Sequence, residues 1–295
     1  MQKIFTLNSA RHLGLPSGKI QIGRFPGGEI SLSIKEDLNN SDVFLIGSTN
    51  APAENLVELI LAIDTVYRLH AKSINVIIPY FGYSRADREK FAGDAVSAEA
   101  IAKAIESVGK GKLKTYSLDI HSKKVGGFFK SPFKNIPTTD LFVGKFLEIG
   151  KLTVVAPDKG AAERAIVLAD KIGMNCAIMT KERTEKGEVV MKGIKGKVTQ
   201  NVLIFDDIVD SGETILKATE FLKKYGVREI YVAATHMVWH GEGYKLLSDS
   251  PKITKIFTTN TIEPPVHIPK RVEIISINPL LKSIIEHPSA NFQQT

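Results

Sequence analysis

In the stretch "NVLIFDDIVDSGETI", residues 201–215, four apolar residues run directly into Asp206 and Asp207, and Asp210, Ser211, Gly212, Glu213 and Thr214 follow closely. A short apolar run that stops at charge reads as a buried strand with carboxylates at its carboxyl end. Ligands of open α/β sheets bind at that end. Ionised carboxylates only accept hydrogen bonds, so a neutral sugar with adjacent hydroxyls suits them, each charge-assisted bond contributing about 1.5–3 kcal/mol. "DSGET" adds a glycine for close backbone approach, two hydroxyls and the N–H groups of a helix start, which together suit an anion. Asp210 or Ser211 alone reads better as a helix N-cap; the residues taken together point to a sugar phosphate.

An acidic pair after an apolar strand also fits the magnesium element of a P-loop nucleotidase. That fold requires Gly-x-x-x-x-Gly-Lys-Ser/Thr. Every Gly-Lys of this chain, at 18, 109, 111, 144, 150 and 196, is followed by another residue type, which excludes it.

The elements that must position these residues follow from periodicity. "DVFLIGS" (42–48) and "INVIIPYFG" (74–82) read as buried strands, and between them Leu56, Leu59, Ile60, Ile63 and Val66 recur at helical spacing. The order returns in "NVLIFDD", a helix with Ile215, Ala218 and Leu222 on one face, and "EIYVAAT" (229–235). Val43 to Glu54 and Val202 to Glu213 span the same length, and a turn-centred hairpin precedes each unit, at 22–34 and 179–194. Nearly continuous apolar strands alternating with amphipathic helices predict mainly parallel sheets covered on both faces. The expected architecture is therefore α/β, with two similar domains joined near residues 140–150 and taken as 1–145 and 146–295. Only the second copy carries carboxylates and a phosphate-sized turn, since the first reads "GSTNAPAEN", so one sugar-phosphate site per chain is expected.

At 295 residues, 43% hydrophobic and 24% charged, the chain has material for two cores and is not expected to be disordered. The formal charge of +7 favours anionic partners. With 7% aromatics and no recognition motif, a nucleic-acid partner rests on charge alone and is not expected. The single cysteine, Cys176, reads as packing; it excludes an intrachain disulfide and a thiolate metal cluster and suits a reducing cytoplasm. No window approaches 18 uninterrupted apolar residues, so no membrane association is expected.

Four further stretches, in order along nearly the whole chain, carry a specific resemblance: "RFPGGE" (24–29), "STNAPAENL" (48–56), "IPYFGYSRADRE" (78–89) and "LDIHSKKVGGFF" (118–129). With "VLIFDDIVDSGET", which phosphoribosyltransferases share, the chain resembles the ribose-phosphate diphosphokinase (phosphoribosyl pyrophosphate synthetase) family. The resemblance implies two phosphoribosyltransferase-like domains. Ribose 5-phosphate would lie on Asp206, Asp207, Asp210, Ser211, Gly212, Glu213 and Thr214, and its 1-hydroxyl would attack the β-phosphorus of ATP and release AMP. Such a transfer depends on positioning and charge neutralisation. Lys181 and Arg183 in "MTKERTEKGE" match the family's lysine-x-arginine on a loop that closes over the phosphates, with Arg183 also reaching ribose 5-phosphate; read alone, the stretch is a charged, solvated hairpin.

The same resemblance implies Mg²⁺ at His121 and Asp158, with Asp119 nearby, His121 alternatively contacting a phosphate, and Asp158 alternatively a plain N-cap of "DKGAAERA". ATP is implied at Phe25, Gly27, Gly28, Glu29, Arg85, Ala86 and His121. Phe25 and Arg85 would sandwich adenine from neighbouring subunits of a homo-oligomer, while Phe25 read alone is equally a core residue. Two departures stand out: Gly27 where many relatives have an acidic residue, and Glu213 where they have glycine, an extra carboxylate at the anion site. Allosteric control is not carried over. A non-catalytic regulatory homologue is the alternative, and Lys181, Arg183, Asp206 and Asp207 in place argue against it.

Overall fold

The computed structural model describes residues 1–183, 189–239 and 243–288. The chain divides into two compact units.

The first unit holds β1 (Gln2–Thr6), a 3₁₀ turn at Asn8–Leu13, the hairpin β2 (Ile20–Arg24) and β3 (Ile30–Ile34), then β4 (Asp42–Ile46), α1 (Glu54–Arg68), β5 (Ser73–Ile78), α2 (Ser97–Gly109), β6 (Leu113–Leu118) and β7 (Phe133–Ile136). Its sheet is parallel throughout, in the order β1-β4-β5-β6-β7, with β2 and β3 as a separate antiparallel pair. Val43, Leu45, Val76 and Ile78 alternate onto a core with Leu59, Ile63 and Val66 of α1, as the helical spacing predicts.

The second unit holds α3 (Thr139–Ile149), β8 (Thr153–Ala156), α4 (Ala162–Ile172), β9 (Asn175–Arg183), β10 (Val189–Lys195), β11 (Asn201–Val209), α5 (Glu213–Lys224), β12 (Glu229–Met237), α6 (Gly243–Asp249), β13 (Lys255–Thr259) and β14 (Val272–Ile275). The sheet order is β10-β9-β8-β11-β12-β13-β14, parallel except for β10 against β9. β8 runs on through α4 to β9 on one side, and β11 through α5 to β12 on the other. The strand order therefore reverses between β8 and β11, which opens a crevice at their carboxyl ends.

The division differs from a boundary at 145/146. The first unit ends at Pro137, and α3 belongs to the second because Phe142 and Phe146 are buried there, edge-on to Phe205 and Phe257 at 5.6 and 5.3 Å. The chain also returns: Thr261–Glu263 and α7 (Asn278–Glu286) belong to the first unit, where Gln2 Nε2 donates to Ile285 O. Cys176 on β9 is half-buried, and burial followed by the charge of Asp170 pushes its thiol up.

Candidate active site

Asp206 and Asp207 occupy the carboxyl end of β11, a central strand flanked by β8 and β12. Leu203 and Phe205 face the core that α4 covers, and strand alternation carries Asp207 onto that same face. There Arg164, in the first turn of α4, lays Nη1 against Asp207 Oδ1 and stands 3.6 Å from Asp206 Oδ1. The Asp207 side chain is 4% exposed and that of Asp206 17%, so Asp206 is the more accessible carboxylate. Burial, then the charge of Asp207, pushes the Asp206 carboxyl well above the ordinary range, with Arg164 pulling the other way.

Asp158 lies in the turn between β8 and α4, across the crevice. Its Oδ1 accepts the N–H groups of Gly160 at 2.8 Å and Ala161 at 3.1 Å and so closes the turn ahead of α4, which is itself entered at Ala161 without a side-chain cap. Its Oδ2 is 2.6 Å from Lys181 Nζ of β9. Burial alone would raise this carboxyl, but Lys181 and the two N–H groups more than offset it and hold Asp158 below the usual range. Asp158 is therefore not the N-cap of α4; one of its oxygens closes the preceding turn and the other meets Lys181. Arg183 is on β9 opposite Val189 by its backbone; the loop expected beyond it, at 184–188, lies outside the described residues.

The turn "DSGET" follows β11. Gly212 adopts φ 72°, which favours glycine, and opens α5; Ser211 Oγ accepts the Glu213 N–H at 3.4 Å. The first N–H groups of α5 point out of the turn, as at any helix start. Behind it, a Cβ added to Gly243 of α6 would stand 1.9 Å from Asp210 O, so only glycine lets α6 brace this loop. The Glu213 carboxylate is directed along the helix to Lys217 Nζ at 2.7 Å, half-exposed, so the extra charge is neutralised within α5.

In the first unit, Arg85 and Ala86 follow β5 and His121 follows β6. Ser122 Oγ donates to Asp87 Oδ2 at 2.7 Å and ties these two loops together. Arg85 and His121 are exposed, and Asp119 has φ 36°. Phe25 is outside the core: the residue is 57% exposed at the tip of the β2–β3 hairpin. The turn is held by Phe25 N–H donating to Glu29 O, Gly28 N–H to Phe25 O and Arg24 Nη1 to Gly28 O, with Gly28 at φ 95°. Glu29 Oε2 lies 3.0 Å from where a Gly27 Cβ would be, so a carboxylate covers that turn although residue 27 supplies none.

The second unit thus brings together four of the expected residues, Asp158, Lys181, Asp206 and Asp207. It adds Arg164, which sequence reading passed over although it stands in "DKGAAERA". Phe25, Arg85, Ala86 and His121 are on the first unit, so His121 and Asp158 do not share a unit. Among the described residues no three His, Cys, Asp or Glu side chains converge as a metal cage. Mg²⁺ asks for only one or two protein carboxylates when phosphates and water supply the rest, and the Asp158 donor set fits that demand.

A parallel sheet with paired carboxylates and a glycine-opened helix at its switch point places the second unit among α/β domains of the phosphoribosyltransferase type. Residues 3–109 match the profile of the N-terminal domain of ribose phosphate pyrophosphokinase, and residues 139–267 that of the phosphoribosyl transferase domain. The ribose-phosphate pyrophosphokinase of Halalkalibacterium halodurans is 35% identical over 98% of this chain and 96% of its own length. That of Thermotoga maritima is 35% identical over 94% of this chain and 89% of its own. The crystal structure of phosphoribosylpyrophosphate synthetase from Mycobacterium smegmatis superposes with a TM-score of 0.86 at 27% identity, covering 98% of this chain and 99% of that one. The chain belongs to the ribose-phosphate pyrophosphokinase family of enzymes, built of two phosphoribosyltransferase-type domains. No helix among the described residues is long and apolar enough to cross a membrane.

Proposed function

We propose that this chain transfers the diphosphoryl group of ATP to the 1-hydroxyl of ribose 5-phosphate, giving 5-phosphoribosyl 1-pyrophosphate and AMP. The observation that carries the proposal is the charge arrangement at one crevice, with Lys181 on Asp158 beside the Arg164–Asp207–Asp206 group, in a chain of this family. Asp206 and Asp207 accept the adjacent ring hydroxyls of the sugar. Asp210, Ser211, Gly212, Glu213 and Thr214 take its 5-phosphate on backbone N–H groups and hydroxyls, with the Glu213 side chain turned away. Lys181 and Arg183 supply positive charge to the phosphates as they transfer; positioning and charge do the work, with no covalent step on the protein. Mg²⁺, when bound, neutralises phosphate charge, and Asp158 would hold it, with His121 on the ATP side. Phe25, Gly27, Gly28, Glu29, Arg85 and Ala86 form the ATP elements, with Phe25 and Arg85 donated by neighbouring subunits of a cytoplasmic homo-oligomer. An exposed phenylalanine at a hairpin tip supports that reading, because burial against adenine repays what exposure to water costs. Incubation with ribose 5-phosphate, ATP and Mg²⁺ tests the activity: AMP and the phosphoribosyl product form in equal amounts, and AMP without its partner product would refute the assignment.

A further inference from the structure

Arg164 reaches from the first turn of α4 to the end of β11, where its guanidinium meets both carboxylates of the sugar site. Successive strand side chains project to opposite faces, so Asp206 and Asp207 diverge unless something draws them together. Two contacts do so: the Asp207 N–H donates to Asp206 Oδ1 at 2.9 Å, and Arg164 Nη1 spans both side chains. We propose that Arg164 is the positioning residue of the sugar site, holding Asp207 so that the pair presents accepting oxygens to two adjacent ribose hydroxyls, and thereby setting ribose 5-phosphate affinity without touching the sugar. This rests on the assignment of ribose 5-phosphate to the β11–α5 end.

Three observations favour it over a packing ion pair. A buried ion pair seldom adds net stability, so packing alone gives little reason for one here. Lys181, a second cation at the crevice, is engaged on Asp158. Like charges at one strand end also need compensation, since burial and Asp207 together work against a charged Asp206. One guanidinium nitrogen, Nη1, faces both carboxylates, and the planar group that carries it is rigid where an ammonium on a flexible stem is not.

The test uses the full chain and measures ribose 5-phosphate binding by calorimetry, steady-state kinetics and thermal unfolding. Arg164→Gln is expected to weaken ribose 5-phosphate about 30-fold or more in both Kd and KM, while KM for ATP and kcat at saturating sugar stay within about 3-fold. Arg164→Lys recovers part of the loss. Arg164→Gln combined with Asp207→Asn, which replaces the ion pair by a neutral one, binds no worse than either single variant, the non-additivity of a coupled pair. A fall in kcat with sugar affinity unchanged would make Arg164 a phosphate contact and overturn the proposal. Fully additive losses in the double variant, or equal loss of both substrates tracking a lower Tm, would overturn it as well. If the unaltered chain fails to bind ribose 5-phosphate, the site assignment itself has failed, a result read before any variant is made.

Discussion

The two strand–turn–helix units, β4 to α1 and β11 to α5, share a frame and differ in what fills it. Asp42 to Glu54 and Asn201 to Glu213 each take twelve positions from strand start to helix start. On that register Gly47 and Ser48 stand where β11 has Asp206 and Asp207. In the first unit, Leu7 is wholly buried against the turn after β4; a Cβ on Gly47 would be 2.8 Å from Leu7 Cδ1. Ser48 donates to Thr261 O at 2.8 Å and accepts the Tyr80 N–H at 3.1 Å, and Thr49 Oγ1 accepts the Gly82 N–H. The hydroxyls of Ser48 and Thr49 in the first turn are therefore spent inside the protein. In the second, α4 and β9 continue the sheet beyond β8 and deliver Arg164 and Lys181, and the crevice is lined with charge instead of leucine. One frame becomes a structural joint, or in the proposed reading a binding site, according to whether its turn is closed by the protein's own groups.

The largest expected effect falls on the cation that the first unit has no strand to supply. Lys181→Ala should lower kcat by about 10³-fold while ribose 5-phosphate affinity, measured by calorimetry, barely moves, because the charge acts on the transferring phosphates. Equal loss of sugar binding would remove that role from Lys181.

Exchanging the paired residues between copies probes the frame directly. Asp207→Ser should raise KM for ribose 5-phosphate by about 10- to 100-fold with the fold intact, since one charge-assisted acceptor is lost. Ser48→Asp should install no new sugar site. It puts a carboxylate in a closed pocket among fixed partners and should cost about 3 kcal/mol or more of stability, read as a fall in Tm with KM unchanged in the folded enzyme. A stable Ser48→Asp chain would mean that the first turn is open.

The same lesion made behind each turn should separate the two roles further. A Cβ on Gly82 would stand 2.2 Å from Thr49 O, and one on Gly243 1.9 Å from Asp210 O. Gly82→Ala should cost about 1–3 kcal/mol of stability by forcing backbone apart and leave ribose 5-phosphate affinity unchanged. Gly243→Ala should displace the anion turn and weaken ribose 5-phosphate more than it lowers Tm. Thermal unfolding with and without the sugar phosphate distinguishes them.

These contrasts also mark what was legible in the sequence. The β4–α1 and β11–α5 copies could be read because local periodicity and equal spacing encode them, and so could Asp206 and Asp207, because the apolar run of β11 ends at them. Arg164 was not legible, because its meaning depends on α4 covering the face onto which Asp207 alternates. Nor was the return of α7 to the first unit, which rests on contacts such as Gln2 to Ile285 across almost the whole chain. Phe25 was undecided for a related reason: an aromatic in a hairpin has the same sequence pattern whether its ring is covered or, as here, left in water.

The smallest effect concerns Glu213, the extra carboxylate beside the anion turn. Were it directed at the phosphate it would repel it, and its removal would tighten binding markedly. Its Oε1 instead pairs with Lys217 one helical turn on, with side chains 48% and 32% exposed, where such a pair contributes about 0.3–0.5 kcal/mol at most. A carboxylate in the first turn of α5 also suits the helix dipole, while its position costs the bound phosphate little once Lys217 neutralises it. Glu213→Gln should therefore lower Tm by a degree or so and leave Kd for ribose 5-phosphate within about 2-fold at ordinary salt. Glu213→Gln with Lys217→Gln should behave the same way, since both partners leave together. If Lys217→Gln alone weakens the sugar phosphate and Glu213→Gln then restores it, the carboxylate is held away from the anion by Lys217, and the pair is the means by which this chain tolerates an acidic residue where glycine would leave the turn uncharged.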